Sequence, residues 1–169
     1  VYGMYPEVVS LTTTAEKSER LREIAHSYLL QDILMFESVK SSRILLDLLR
    51  LVAFQIGSEL STTELSKSLG IDKNTVSRYL DLLVKSFVLV RLGGFSRNLR
   101  KEISKMHKYY FVDVGIRNAL IANLNPLELR DDVGRLWENF MILERIKHHS
   151  YARTPVNYYF WRTYDQKEI

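Results

Sequence analysis

The sequence predicts an α+β chain that is mainly helical, and three observations predict it. Apolar residues recur at helical spacing through most of the first half. Two β-rich runs, Phe87–Leu92 and Lys108–Val112, interrupt that pattern. A long helical stretch then leads to an aromatic strand-like run, Tyr158–Trp161.

The bulk properties bound what such a chain does. Its 169 residues suffice for one medium domain or two small ones. Hydrophobic residues at 46% and charged residues at 26% belong to a folded chain. Cysteine is absent, which excludes a disulfide framework and a thiolate metal site. The most apolar stretch, Ile44–Ile56, is broken by Asp47 and Arg50, so no bilayer span and no membrane partner are expected. The first residues lack a basic start and apolar stretch, so a cytoplasmic protein is expected. The sequence starts at Val1 and stops at Ile169 inside a strand-like run, so a piece of a longer protein is expected.

The elements follow in order. Residues 1–13 read as an irregular entry holding Gly3 and Pro6. Leu21, Ile24, Ala25, Tyr28, Leu29 and Ile33 predict a helix over Ala15–Phe36. Ser41 or Ser42 caps the next helix, which runs to Gly57. Ser61 and Glu64 have capping-box spacing before a short helix that ends at Gly70. Asp72 caps a second helix, Lys73–Lys85. Two helices joined by a short glycine-containing turn make a helix-turn-helix. The β-rich runs that follow make it a winged one, with residues 97–108 as the wing tip; a tighter hairpin at Gly93-Gly94, returning through Phe95–Asn98, is the alternative. Asp113 caps a helix through Asn123, and Asp131-Asp132 precede a longer helix, Val133–His149. The expected organisation is an entry segment over 1–40, a winged helix-turn-helix over 41–112, and an incomplete α/β segment over 113–169.

Charge is focused on the middle unit. Between Ser61 and Tyr110 ten Lys/Arg stand against four acids, in a chain of net charge +4. Focused positive charge suits an anionic partner. On a helical wheel Val76, Leu80 and Leu83 gather on one side of Lys73–Lys85, with Tyr79 flanking. Lys73, Asn74, Ser77 and Arg78 face outward at its N-terminal end, where a recognition helix meets base edges. Arg pairs with guanine and Asn with adenine in bidentate fashion. Arg97, Arg100, Lys101 and Lys105 in the wing would hold phosphates. Duplex DNA is therefore the expected partner. The competing expectation is a protein–protein module, with Asp81 paired to Lys85 or Arg78 on an ordinary solvated face.

Other candidates carry less. Glu138 and Glu144, six positions apart, lie on different helix faces and do not share a metal from that helix alone. His148 and His149 are adjacent and point apart, a poor chelate. Tyr158–Trp161 is expected as a buried strand, and Arg162 as a surface arginine or a phosphate ligand. No phosphate loop and no nucleophile elbow is present. No metal site and no cofactor are expected within the chain.

Five motifs, taken together, resemble a known family. They are Gly3-Met-Tyr5-Pro6-Glu7-Val8-Val9, Tyr28-Leu-Leu-Gln-Asp32-Ile33, Lys108-Tyr-Tyr-Phe111-Val-Asp113-Val-Gly115-Ile-Arg-Asn118, Gly134-Arg-Leu-Trp137-Glu138-Asn139-Phe140, and Tyr159-Phe-Trp161-Arg162-Thr163 with Glu168-Ile169. In order, they resemble the C-terminal part of prokaryotic predicted AAA+ ATP-binding proteins. There a P-loop ATPase module precedes a winged helix and a domain of unknown function similar to the PD-(D/E)xK nuclease fold. The resemblance implies an ATPase core upstream of Val1, as an intramolecular partner, with ATP and Mg²⁺ as cofactors of the intact protein. It implies that residues 113–169 are an incomplete nuclease-like segment in which Glu138 matches the helix glutamate. The metal-binding Asp and the Glu-x-Lys strand would lie beyond Ile169, so the chain itself is not expected to cut DNA. An oligomer is also compatible with the resemblance.

Overall fold

The computed structural model describes residues 1–28, 41–95 and 107–161. They form an α+β structure, mainly helical, with a small four-stranded sheet.

A short helix α1 (Pro6–Val9) leads to α2 (Thr14–Glu23), which passes into a π-helical turn, Ile24–Tyr28. Thr13 starts α2 with a reciprocal capping box. Its hydroxyl accepts from Glu16 N at 3.2 Å while the Glu16 carboxylate accepts from Thr13 N at 3.0 Å. The sequence suggested that box at Ser61–Glu64, where Ser61 Oγ accepts from Glu64 N at 3.3 Å. The rest of the helix expected to Phe36 lies outside the described residues.

Helix α3 (Ser42–Phe54), capped by Ser41, buries Leu45, Leu48, Leu49, Val52 and Ala53 along one stripe. After the two-residue strand β1 (Glu59–Leu60) come α4 (Thr62–Leu69) and α5 (Lys73–Lys85). Gly70 closes α4 at φ +65°, a left-handed conformation that a side chain would strain. Asp72 Oδ1 accepts from Thr75 N at 2.9 Å and starts α5, over the span the sequence predicts.

Strands β2 (Leu89–Gly94) and β3 (His107–Phe111) pair antiparallel, with Leu89 opposite Phe111 and Gly93 opposite His107. The tighter hairpin at Gly93-Gly94 therefore does not form. Both glycines continue the ladder, and Phe95 N donates to Phe160 O at 2.7 Å. The sheet order is β1-β3-β2-β4, with β4 (Tyr159–Phe160) parallel to β2 at the edge. Tyr158–Trp161 was expected to be buried. Only two of its residues pair, at an edge, and Tyr159 and Trp161 stay 42% and 50% exposed.

Strand alternation divides the sheet between two cores. Leu89, Tyr109 and Phe111 face the main core, shared with α1, α2, α3, α4, α5 and α6 (Val114–Leu120). Leu92 and Tyr110 face the other way and meet Leu143 of α7 (Val133–Tyr151). Helix α6 starts at Asp113, whose Oδ1 accepts from Ile116 N at 3.0 Å, as expected. It ends at Leu120, short of the expected Asn123, because Ala122 turns left-handed and Asn123 N returns to Asn118 O at 2.9 Å. Among the described residues no helix is long and apolar enough to cross a membrane.

Candidate nucleic-acid interface

Helix α5 turns its apolar side inward and its polar side out. Val76, Tyr79, Leu80, Leu82 and Leu83 are buried, so packing fixes the roll of the helix about its axis. Lys73, Asn74, Ser77 and Arg78 are all exposed, as their wheel positions predict. The structure thus brings these four onto one open face at the start of α5. Among the described residues neither Lys73 nor Arg78 joins an ion pair; the Arg78 guanidinium lies 5.6 Å from the Tyr79 ring centre.

The acid on that helix behaves differently from the expectation. Asp81 pairs with Arg91 of β2 at 2.6 Å, not with Arg78 or Lys85. Strand β2, which follows α5, carries Arg91 back beside the helix ten positions after Asp81, a contact that helical spacing does not reveal. One consequence is that Arg91 no longer adds to the open positive charge, while the Asp81 charge is offset. Asp72 at the helix start sits below its usual range, held there first by hydrogen bonds from the Thr75 hydroxyl and then from its backbone.

Lys108, one of the ten basic residues in the focused segment, is buried. Its ammonium lies 3.9 Å from Glu138 and 5.3 Å from the Phe160 ring centre. It serves the α7 side of the sheet and not an outer face. Arg97, Arg100, Lys101, Lys105 and Arg162 lie outside the described residues. The strands flanking 96–106 are joined at Gly93↔His107.

Glu138 projects from α7 into a cavity of about 440 Å³ with Lys108, Tyr110, Arg145 and Phe160 around it. The Tyr110 hydroxyl donates to its Oε1 at 2.6 Å. Among the described residues no group of three or more His, Asp or Glu could hold a metal ion. Glu144 pairs with Lys147 at 2.8 Å, and His149 Nδ1 meets the Tyr158 hydroxyl at 2.8 Å.

Sequence reasoning missed a buried polar centre at the junction of α6 and α7. Arg117 donates through Nε to Ala53 O at 2.8 Å, at the C-terminal end of α3, and pairs with Asp132. Arg130 clasps both Asp132 oxygens at 2.8 Å each and also donates to the Asn123 carbonyl. Asn118 Oδ1 accepts from Arg117 and Arg130 at 3.1 and 3.0 Å. Burial pushes the Asp132 carboxyl up, but hydrogen bonds and charge from Arg130 and Arg117 outweigh it and hold the group at about 2. Asn139 adds a second clasp, accepting from Phe111 N at 2.7 Å and donating to Phe111 O at 2.8 Å. The available signal was Arg117, Asn118 and Asn139 set among apolar neighbours within the shared motifs. Read by type they pass for surface residues.

Comparison with known proteins places the chain. It belongs to the family described as Domain of unknown function (DUF8612), whose model matches residues 1–128. A second model, Domain of unknown function (DUF4143), matches residues 133–169. An uncharacterized protein of Mycobacterium tuberculosis is 30% identical over 121 residues, covering 70% of this chain and 26% of the relative. An uncharacterized protein of Haemophilus influenzae is 30% identical over 126 residues, covering 72% of this chain and 31% of the relative. The chain thus spans between a quarter and a third of the length of the curated relatives it matches. No solved structure matches it.

Proposed function

We propose that this DUF8612 family member uses α4, α5 and the β2–β3 pair as a winged helix-turn-helix that docks duplex DNA. The observation that carries it is the open face of α5, where Lys73, Asn74, Ser77 and Arg78 are exposed and the acid on the same helix is taken up by Arg91. Two features support the fold: two helices joined at left-handed Gly70, and a sheet order in which β3 lies between β1 and β2. Lys73, Asn74, Ser77 and Arg78 would read the groove, and Arg97, Arg100, Lys101 and Lys105 would hold phosphates. By the family resemblance the unit would serve an AAA+-type ATPase whose ATP- and Mg²⁺-binding module lies elsewhere in the longer protein.

A second reading makes the same unit a relay between that module and a protein partner. It is favoured by the way residues 1–4 are held against α6, which ties that segment into this unit. Fluorescence anisotropy of a labelled duplex against the protein, over a range of salt, separates the two. The DNA reading expects micromolar-range binding that weakens with salt with a slope of roughly two to four phosphate contacts. It also expects a smaller slope for Arg97→Ala/Arg100→Ala. Folded protein without binding at low salt overturns the DNA reading and leaves the relay.

A further inference from the structure

The cavity beside Glu138 lies on the face of the sheet that DNA docking leaves unused. Helix α7 presents Glu138, Ile142 and Arg145 to it, at i, i+4 and i+7 along one helix face. Strand β3 presents Lys108 and Tyr110, two residues apart, and Leu92 of β2 stands opposite Lys108 in the ladder. The chain around β4 closes the third side. There Phe160 pairs opposite Gly94, and the Tyr158 hydroxyl is held to α7 at 2.8 Å from His149 Nδ1. These walls enclose about 440 Å³, within the roughly 300–1,000 Å³ typical of small-molecule sites.

The lining has a definite chemistry. Ile142, Tyr158 and Phe160 are only partly buried, so packing leaves apolar and aromatic surface open to the cavity. The Lys108 side chain is 3% exposed, and its ammonium lies 3.9 Å from Glu138 Oε1 and 5.3 Å from the Phe160 ring centre. The same Glu138 oxygen accepts from the Tyr110 hydroxyl at 2.6 Å. The acid of the cavity is thus engaged by a phenol and matched by a cation. Arg145 is exposed and joins no ion pair among the described residues. Two cations against one acid leave a surplus positive charge, and apolar walls strengthen its pull on an anion.

We propose that the cavity between α7 and the sheet binds a small aromatic monocarboxylate. Its ring would lie against Tyr110, Tyr158 and Phe160, where flat aromatic bodies pack well. Its carboxylate is bound by Arg145, whose fork matches a carboxylate in bidentate fashion, and Lys108 adds to the positive field. The opposite face of the sheet joins the core that holds α5, so the proposal does not depend on DNA binding.

Isothermal titration calorimetry of the full-length protein with 2-naphthoate and its neutral counterpart 2-naphthamide tests it. Naphthoate is expected to bind at least about tenfold more tightly than naphthamide. Arg145→Ala, a change at an exposed residue that leaves the core untouched, is expected to bring naphthoate down to the affinity of naphthamide. Arg145→Lys is expected to restore part of the preference. Ile142→Trp fills the cavity from α7 and is expected to abolish binding of both, with the fold checked by its urea midpoint. Absence of naphthoate binding to the folded protein at millimolar concentration overturns the proposal. So does equal affinity of the parent for the two ligands, or naphthoate binding that either Arg145→Ala or Ile142→Trp leaves unchanged.

Discussion

The two faces of the sheet are covered to different degrees. One face, through Leu89, Tyr109 and Phe111, joins a core built by helices α1 to α6 in which Leu45, Leu48, Leu49, Ile56 and Leu83 have no exposure. On the other face the buried apolar cluster among the described residues is Leu92, Tyr110 and Leu143, and α7 leaves Trp137, Met141 and Tyr151 outside. Apolar burial of the first kind supplies most folding stability. The second face has little of it, and α7 is instead fastened by two directional polar clasps, at Asp132 and at Asn139. The comparison teaches that the DUF8612 unit is stabilised by area, and the start of the DUF4143 match by a few hydrogen bonds whose loss is costly.

Breaking the clasps is the most severe test. Asp132→Ala leaves Arg117 and Arg130 buried without their carboxylate and is expected to cost about 3–5 kcal/mol in urea unfolding. A cost within the range of surface substitutions would show that the junction contributes nothing. The same site gives a pH signature. Its folded value of about 2 lies below its ordinary 3.8, so its contribution is complete above 3.8 and fades as pH falls through 2. Asp132→Asn is therefore expected to flatten the stability profile between pH 4 and 2, read from denaturation midpoints.

Asn139→Leu is the next largest. It unpairs the buried Phe111 N–H and C=O together, and about 2–4 kcal/mol is expected on general grounds for two such groups. Hydrogen exchange should show α7 opening before α3 and α5 do, because its attachment rests on these bonds. A variant in which all three helices exchange together would erase the distinction between the faces.

Smaller effects sharpen the comparison from the other side. Asp72→Ala removes the α5 cap and is expected to cost about 1 kcal/mol. Phe87 ends α5 in the left-handed region at φ 56° with its ring 82% exposed, while Val88 N returns to Leu83 O at 3.0 Å. The same closure ends α4, where the residue is Gly70. Phe87→Gly is expected to gain roughly 0.5–1 kcal/mol in thermal or urea unfolding. A loss would mean that the ring makes a contact the exposure does not reveal.

How much of this was legible beforehand follows the same division. Local signals sufficed for the two helices α4 and α5. Asp72, Gly70 and the apolar spacing within Lys73–Lys85 each act within a few residues, and the helix forms where they point. The outward set Lys73, Asn74, Ser77 and Arg78 followed from the same wheel. The Asp81–Arg91 pair, the burial of Lys108 and the Arg117–Asp132–Arg130 centre depend on residues ten or more positions apart or on which sheet face they occupy. Helical periodicity does not encode those. The edge position of β4 was hidden for the same reason, since aromatic content alone reads as burial.

The central claim is that the N-terminal face of α5 is where DNA lands. Amide NMR of the ¹⁵N-labelled protein during titration with a short duplex tests it most directly. The account expects the largest shifts at Lys73, Asn74, Ser77 and Arg78, lost in Lys73→Ala/Arg78→Ala while the fold is kept. Shifts confined to α7, or a double variant that binds as well as the parent, would contradict it.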